Sequence, residues 1–106
     1  MPERELQGLV AEMCAHLGLL HFHVHYAKHM RAGWPDSTII GAGKVIFREL
    51  KSEFGRLTPE QRLVGERLKS AGQDWRVWRP SDWISGAIET ELRLLKGQPQ
   101  LPLEAS

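Results

Sequence analysis

The chain has 106 residues, 42% of them hydrophobic and 25% charged, with a formal net charge of +1. That length supports one domain around one modest core, and no apolar run approaches the roughly 18 residues of a membrane span. Near-neutrality excludes nucleic-acid binding through the field of the whole molecule, so any such contact must come from a local basic surface. The first residues are charged and helical in pattern, unlike a signal peptide, and the single Cys14 leaves no partner for an internal disulfide. A buried thiol in a cytoplasmic, reducing compartment is the expectation.

In chain order, residues 3–17 carry an amphipathic helix: Leu6, Val10, Met13 and Leu17 form a stripe with Leu9 beside it, and Gly18 supplies the stop. Extending the stripe back one turn reaches Glu3, with Glu5 and Glu12 on the flanks. Glu3 reads either as an acid complementing the helix dipole or as a functional acid at the helix start, with Glu5 as the reserve. Residues 19–26 alternate, Leu20, Phe22, Val24 and Tyr26 against His21, His23 and His25, which predicts a strand with one apolar and one histidine face. Histidines along one strand stand roughly 6.6 Å apart, too far for one tetrahedral zinc ion, so a solvated or DNA-facing row is expected. Lys28 to Gly33 is a short basic loop, and Pro35 holds Trp34 extended.

The next stretch organises the rest. Ser37 to Ile40 and Lys44 to Leu50 are two β-branched runs separated by Gly41-Ala42-Gly43, which predicts a hairpin. Centring the turn on Ala42 and Gly43 sets Ile40 opposite Val45 and Asp36 opposite Glu49. Opposed residues on one sheet face have Cβ atoms roughly 4.5–5.5 Å apart, and Lys51 points to the same face as Glu49. Two carboxylates at about 4 Å repel by about 4 kcal/mol at an effective dielectric of 20. A divalent cation removes that cost, and oxygen ligands suit magnesium or manganese. The plainer reading puts Asp36 in a Pro-Asp turn and pairs Glu49 with Lys51 on a solvated face.

Thr58-Pro59-Glu60-Gln61 is a helix start, Thr as N-cap, Pro at the first position and Gln at the third. Val64, Leu68 and Ala71 form that helix's inner stripe, and Gly72 ends it. Trp75 to Arg79 is another strand closed by Pro80, and Ser81 caps a last helix striped by Ile84, Ile88, Leu92 and Leu95. Residues 97–106, with two prolines and no periodicity, read as a flexible tail to a single domain over residues 1–96. The order α-β-β-β-α-β-α predicts an α/β fold with a mixed central sheet flanked by helices.

Pro35-Asp36 followed by Glu49-Leu50-Lys51 resembles the PD-(D/E)XK nuclease signature. The fuller set, Arg31-x-Gly-Trp-Pro-Asp, then Ile46-Phe47-x-Glu-Leu-Lys, then Gly55-Arg-Leu-Thr-Pro-x-Gln61, resembles its VRR-NUC branch, particularly the short stand-alone enzymes of phages and bacteria related to Holliday-junction resolvases. The likeness spans roughly residues 3–83. It implies a restriction-endonuclease-like core and Mg²⁺- or Mn²⁺-dependent hydrolysis of DNA phosphodiesters, selective for structures such as Holliday junctions or flaps. It also implies homodimers, and the host cytoplasm if the source is a phage.

The resemblance implies Glu3, Asp36, Glu49 and the Leu50 carbonyl as metal ligands. Lys51 would act on the water or the developing phosphorane charge, and Gln61 near the metal. Lys28, Arg31, Arg48, Arg56 and His25 are the candidates for DNA contacts, and an apolar patch on the last helix or in the Trp75–Trp83 region would serve a dimer. The rival readings are a non-catalytic DNA-binding or partner-docking module on the same fold, and a small zinc protein using the histidines.

Overall fold

A computed structural model of the chain describes residues 1–25 and 29–97. Helix α1 (Glu3–Leu17) ends where Gly18 takes a left-handed backbone, φ +73°, as the stop signal predicts. Its buried stripe is Leu6, Val10, Cys14 and Leu17, and the half-buried Met13 packs at the edge of the core beside Cys14. Burial pushes the Cys14 thiol up to about 11, an inert packed group.

Strands β1 (Leu20–His23), β2 (Ser37–Ile40), β3 (Val45–Leu50) and β4 (Asp74–Trp78) form one sheet in the order β1-β2-β3-β4. The first two pairings are antiparallel. The third is parallel, because α2 (Pro59–Ser70) carries the chain back across the sheet. The hairpin register is the one the turn chemistry predicts, with Ile40 opposite Val45 and Ser37 opposite Arg48, and Gly43 at φ +82°. Helix α2 begins at the predicted capping box.

One face of the sheet carries the core. Ile39 lies opposite Ile46 and Leu50 opposite Trp78, and all four are buried with the stripes of α1 and α4 (Ala87–Lys96). The expected single last helix is two, α3 (Pro80–Ile84) and α4, broken where Gly86 turns left-handed at φ +86°. The first of them starts at Pro80, with Arg79 as its cap rather than Ser81, and the break leaves Ile84 75% exposed. The opposite face is covered by α2 above β4. There a Cβ added at Gly65 would sit 2.4 Å from the Trp75 ring, so glycine permits the close approach.

The histidine strand is reversed relative to expectation. Leu20 and Phe22 are the exposed residues of β1, at 59% and 54%, while His21 and His23 are half-buried beneath α1. His21 Nε2 lies 2.9 Å from the Ser37 hydroxyl, and Gln7 of α1 donates to the His23 ring at 2.6 Å. Period two fixes that the faces differ. Which face turns inward depends on what covers it, and α1 covers the histidine side with a polar Gln7 at the contact.

Among the described residues no helix is long and apolar enough to cross a membrane. Lys28 and all of the expected tail except Gly97 lie outside the described residues.

Candidate functional site

The site lies where the β2–β3 ladder ends. The last ladder pair is Ser37 with Arg48, so the next position sets Asp36 beside Glu49. Asp36 accepts a hydrogen bond from the Leu50 N–H at 2.8 Å, where a continuing strand would have supplied a carbonyl. A strand residue's N–H and C=O point to the same side, so the Leu50 carbonyl also lies on the Asp36 side. The approach to Asp36 is fixed by Gly33. It is buried at φ +106°, and a Cβ there would meet the Glu60 carbonyl oxygen at 2.5 Å. That contact locks the Gly33-Trp34-Pro35-Asp36 run against the start of α2, and Trp34 packs edge-on to Phe47 at 5.7 Å.

Glu49 is only 2% exposed, yet its surroundings do not neutralise it. Gln61 donates to Oε2 at 2.9 Å, and Oε1 is buried without a hydrogen-bond partner among the described residues. Burial first, then the Asp36 carboxylate, by its charge and by a hydrogen bond from the protonated Glu49 carboxyl, push Glu49 up to about 8. The Lys51 ammonium opposes this and the Glu3 carboxylate adds to it. Of the two acids in the first turn of α1, Glu3 is therefore the one whose charge reaches Glu49. Gln61 fills the capping role the sequence predicts and also reaches Glu49. Its Oε1 accepts from the Thr58 N–H at 2.9 Å in the capping box, and this leaves its NH₂ to face Glu49.

Comparisons with protein-family models, curated proteins and solved structures return no match. The chemistry of the site therefore rests on its own geometry. No three His, Cys, Asp or Glu side chains among the described residues gather closely enough to hold an ion by themselves. Glu3 thus does not close a three-carboxylate cluster with Asp36 and Glu49, and the histidines, two of them committed to hydrogen bonds, form no zinc site. Two carboxylates with a backbone carbonyl nearby are a different donor set. Magnesium keeps several waters and takes one or two carboxylates, so Asp36, Glu49 and Leu50 fit it, and the unsatisfied Glu49 Oε1 is the atom a cation would satisfy.

Of the residues expected to contact DNA, Arg31, Arg56 and His25 are exposed. Arg48 is not: it is 1% exposed, on the opposite face of β3 from Glu49. Its guanidinium donates to the Asp74 carbonyl and to Glu91 at 2.8 Å, pairs with the Asp74 carboxylate at 3.0 Å, and lies over the Trp78 ring. Burial raises the Asp74 carboxyl, but Lys44 and Arg48 outweigh it and leave Asp74 below its ordinary value. Arg48 is a structural cation, unable to reach a DNA backbone from that position. No local pattern reports the role of Arg79, whose guanidinium binds the carbonyls of the loop after Lys51.

Proposed function

We propose that the chain is a metal-dependent endonuclease that hydrolyses DNA phosphodiesters, built on a PD-(D/E)XK core of the VRR-NUC kind. The observation that carries this reading is the juxtaposition of Asp36 with a buried Glu49 whose carboxyl is pushed up to about 8 and whose ionised Oε1 finds no hydrogen-bond donor among the described residues. A fold gains no stability from two such carboxylates; a site for a divalent cation does use them. Asp36, Glu49 and the Leu50 carbonyl would hold Mg²⁺ or Mn²⁺, and Glu3 would add negative charge from α1. When bound, the ion polarises a phosphoryl oxygen and makes water more acidic.

The protein's own groups do the rest. The Leu50 N–H fixes Asp36, and Gln61 fixes Glu49. The Lys51 ammonium, on the same strand face as Glu49, balances charge as it builds on the phosphoryl oxygens. The water oxygen bonds to phosphorus as one ester P–O bond breaks. The water's proton passes to solvent and the leaving alkoxide takes one up. Arg31 and Arg56, exposed on loops either side of the site, meet the backbone phosphates, so affinity falls with salt. A second copy, expected from the family likeness, would present two such sites to two strands.

The test is incubation of the protein with duplex, single-stranded, flap and four-way-junction DNA in Mg²⁺ or Mn²⁺. Wild type cuts at least one of these, and Asp36→Ala and Lys51→Ala lose at least about 100-fold, the scale of one lost transition-state contact. Equal cutting by the variants, or no cutting by wild type, contradicts the reading. In the second case a non-catalytic DNA-binding module on the same fold is what remains.

A further inference from the structure

Three residues beyond Lys51 stands Phe54, 93% exposed, the most exposed large apolar side chain among the described residues. Its loop is held firmly. The Arg79 guanidinium donates from Nη1 to the carbonyls of Ser52 at 2.8 Å, Glu53 at 3.2 Å and Gly55 at 2.7 Å. Glu53 in turn accepts from the Ser81 N–H at 2.9 Å, and the Gly55 N–H closes a turn onto the Ser52 carbonyl. Side-chain bonds and a tight turn thus tie the loop to the start of α3, while its aromatic ring has no cover. An aromatic ring fixed in water by a braced loop is arranged for contact with another molecule.

The surroundings say which kind. A hollow beside the ring is lined by Glu53, Arg56, Leu57, Arg62 and Arg79, three cations to one acid, and the Glu53 carboxylate is engaged by the Ser81 N–H. Arg56 and Arg62 are exposed, and neither forms an ion pair among the described residues. A ring flanked by unpaired guanidinium groups matches a strand that offers a base face and a phosphate together. Phe54 lies within about 10 Å of Lys51 along the chain, three residues at full extension. A base on the ring is therefore within a few nucleotides of a phosphate at the site.

We infer that Phe54 stacks on an unpaired base next to the scissile phosphodiester, so that the preferred substrate has single-stranded character at the cut, as a flap or open junction does. A base paired inside a duplex offers no free face for the ring. The inference rests on the nuclease reading for the word scissile, and on Phe54 and its arginines for the rest.

Binding without cutting tests it. The full chain is titrated in EDTA against a blunt duplex and against the same duplex carrying a single-stranded flap with 2-aminopurine beside the junction. Phe54→Ala is expected to weaken flap binding by about 5- to 150-fold, with less than a two-fold change on the blunt duplex. Phe54→Trp keeps both the affinity and the quenching of 2-aminopurine, and Phe54→Leu behaves as the alanine variant. Equal flap binding by wild type and Phe54→Ala overturns the inference. So does an equal loss on both DNAs, and so does full activity of the leucine variant, which would mark a plain apolar contact. Loss of a dimer on Phe54→Ala in sedimentation assigns the ring to a second copy and also overturns it. Wild type that binds flaps through Phe54 but cuts nothing in Mg²⁺ or Mn²⁺ leaves the stacking standing and removes only the nuclease.

Discussion

Arg48 and Glu49 are neighbours in one strand, both buried, and they lead opposite electrostatic lives. Arg48 points to the α4 side, where Asp74 and Glu91 bring opposite charge to it and the Trp78 ring covers it. Glu49 points to the other side, where the nearest ionised groups are Asp36, Lys51 and Glu3, two of the three carrying its own sign. The first cluster compensates a buried charge, as a structural cluster must. The second gathers carboxyl groups that Lys51 does not balance, so Glu49 keeps a proton instead of a charge near neutral pH. Burial alone marks neither as functional; the sign of the neighbours does.

The comparison breaks most visibly at Arg48. Arg48→Met removes the cation and leaves Asp74 and Glu91 facing each other without it. A loss of about 3–5 kcal/mol is expected in urea unfolding at pH 7, because one partner of a buried pair has been taken away. Both carboxylates are partly solvated, which favours the lower end of that range.

The Glu49 side responds to pH instead. Its folded value of about 8 lies above the unfolded value near 4.5. The folded state therefore holds this proton more tightly, and the group's contribution to stability is full below about pH 4.5 and lost as pH rises through about 8. Metal-free protein is expected to lose stability between pH 7 and pH 9, on the order of a kcal/mol or more, and Glu49→Gln removes most of that slope, leaving a smaller part near pH 9 from Cys14, whose thiol burial holds at about 11. His21, held below its ordinary value by burial and by the charge of His23, acts only at lower pH, outside this window. Urea titrations at the two pH values read the difference directly.

The smallest effect belongs to Gln61, which joins the helix cap to Glu49. Gln61→Ala removes one reciprocal capping bond and the donor to Glu49 Oε2, and a stability loss of about 1 kcal/mol is expected in the same assay.

Much of the fold and the heart of the site are legible in the sequence because they rest on local rules. Turn glycines at 41 and 43 set the hairpin register, and the register alone brings Asp36 to Glu49. Thr58-Pro59-x-Gln61 announces its own helix start, and Gly18 ends α1. What escapes depends on distant partners. Arg48 finds its carboxylates 26 and 43 residues further along, a pairing that no local pattern reports. The facing of β1 escapes a local rule, because alternation is symmetric until a helix covers one side. Phe54 looks like ordinary loop material until Arg79, 24 to 27 residues away, is seen bracing the turn that presents it.

The cation site proposed at Asp36 and Glu49 is most directly tested by calorimetric titration of the 106-residue chain with Mn²⁺ at pH 7.5, repeated in buffers of different ionisation enthalpy. One ion per chain is expected, with release of part of a proton as Glu49 gives up the one it holds, and with binding lost in both Asp36→Ala and Glu49→Gln. Binding that survives in either variant, or uptake with no proton released, would contradict it.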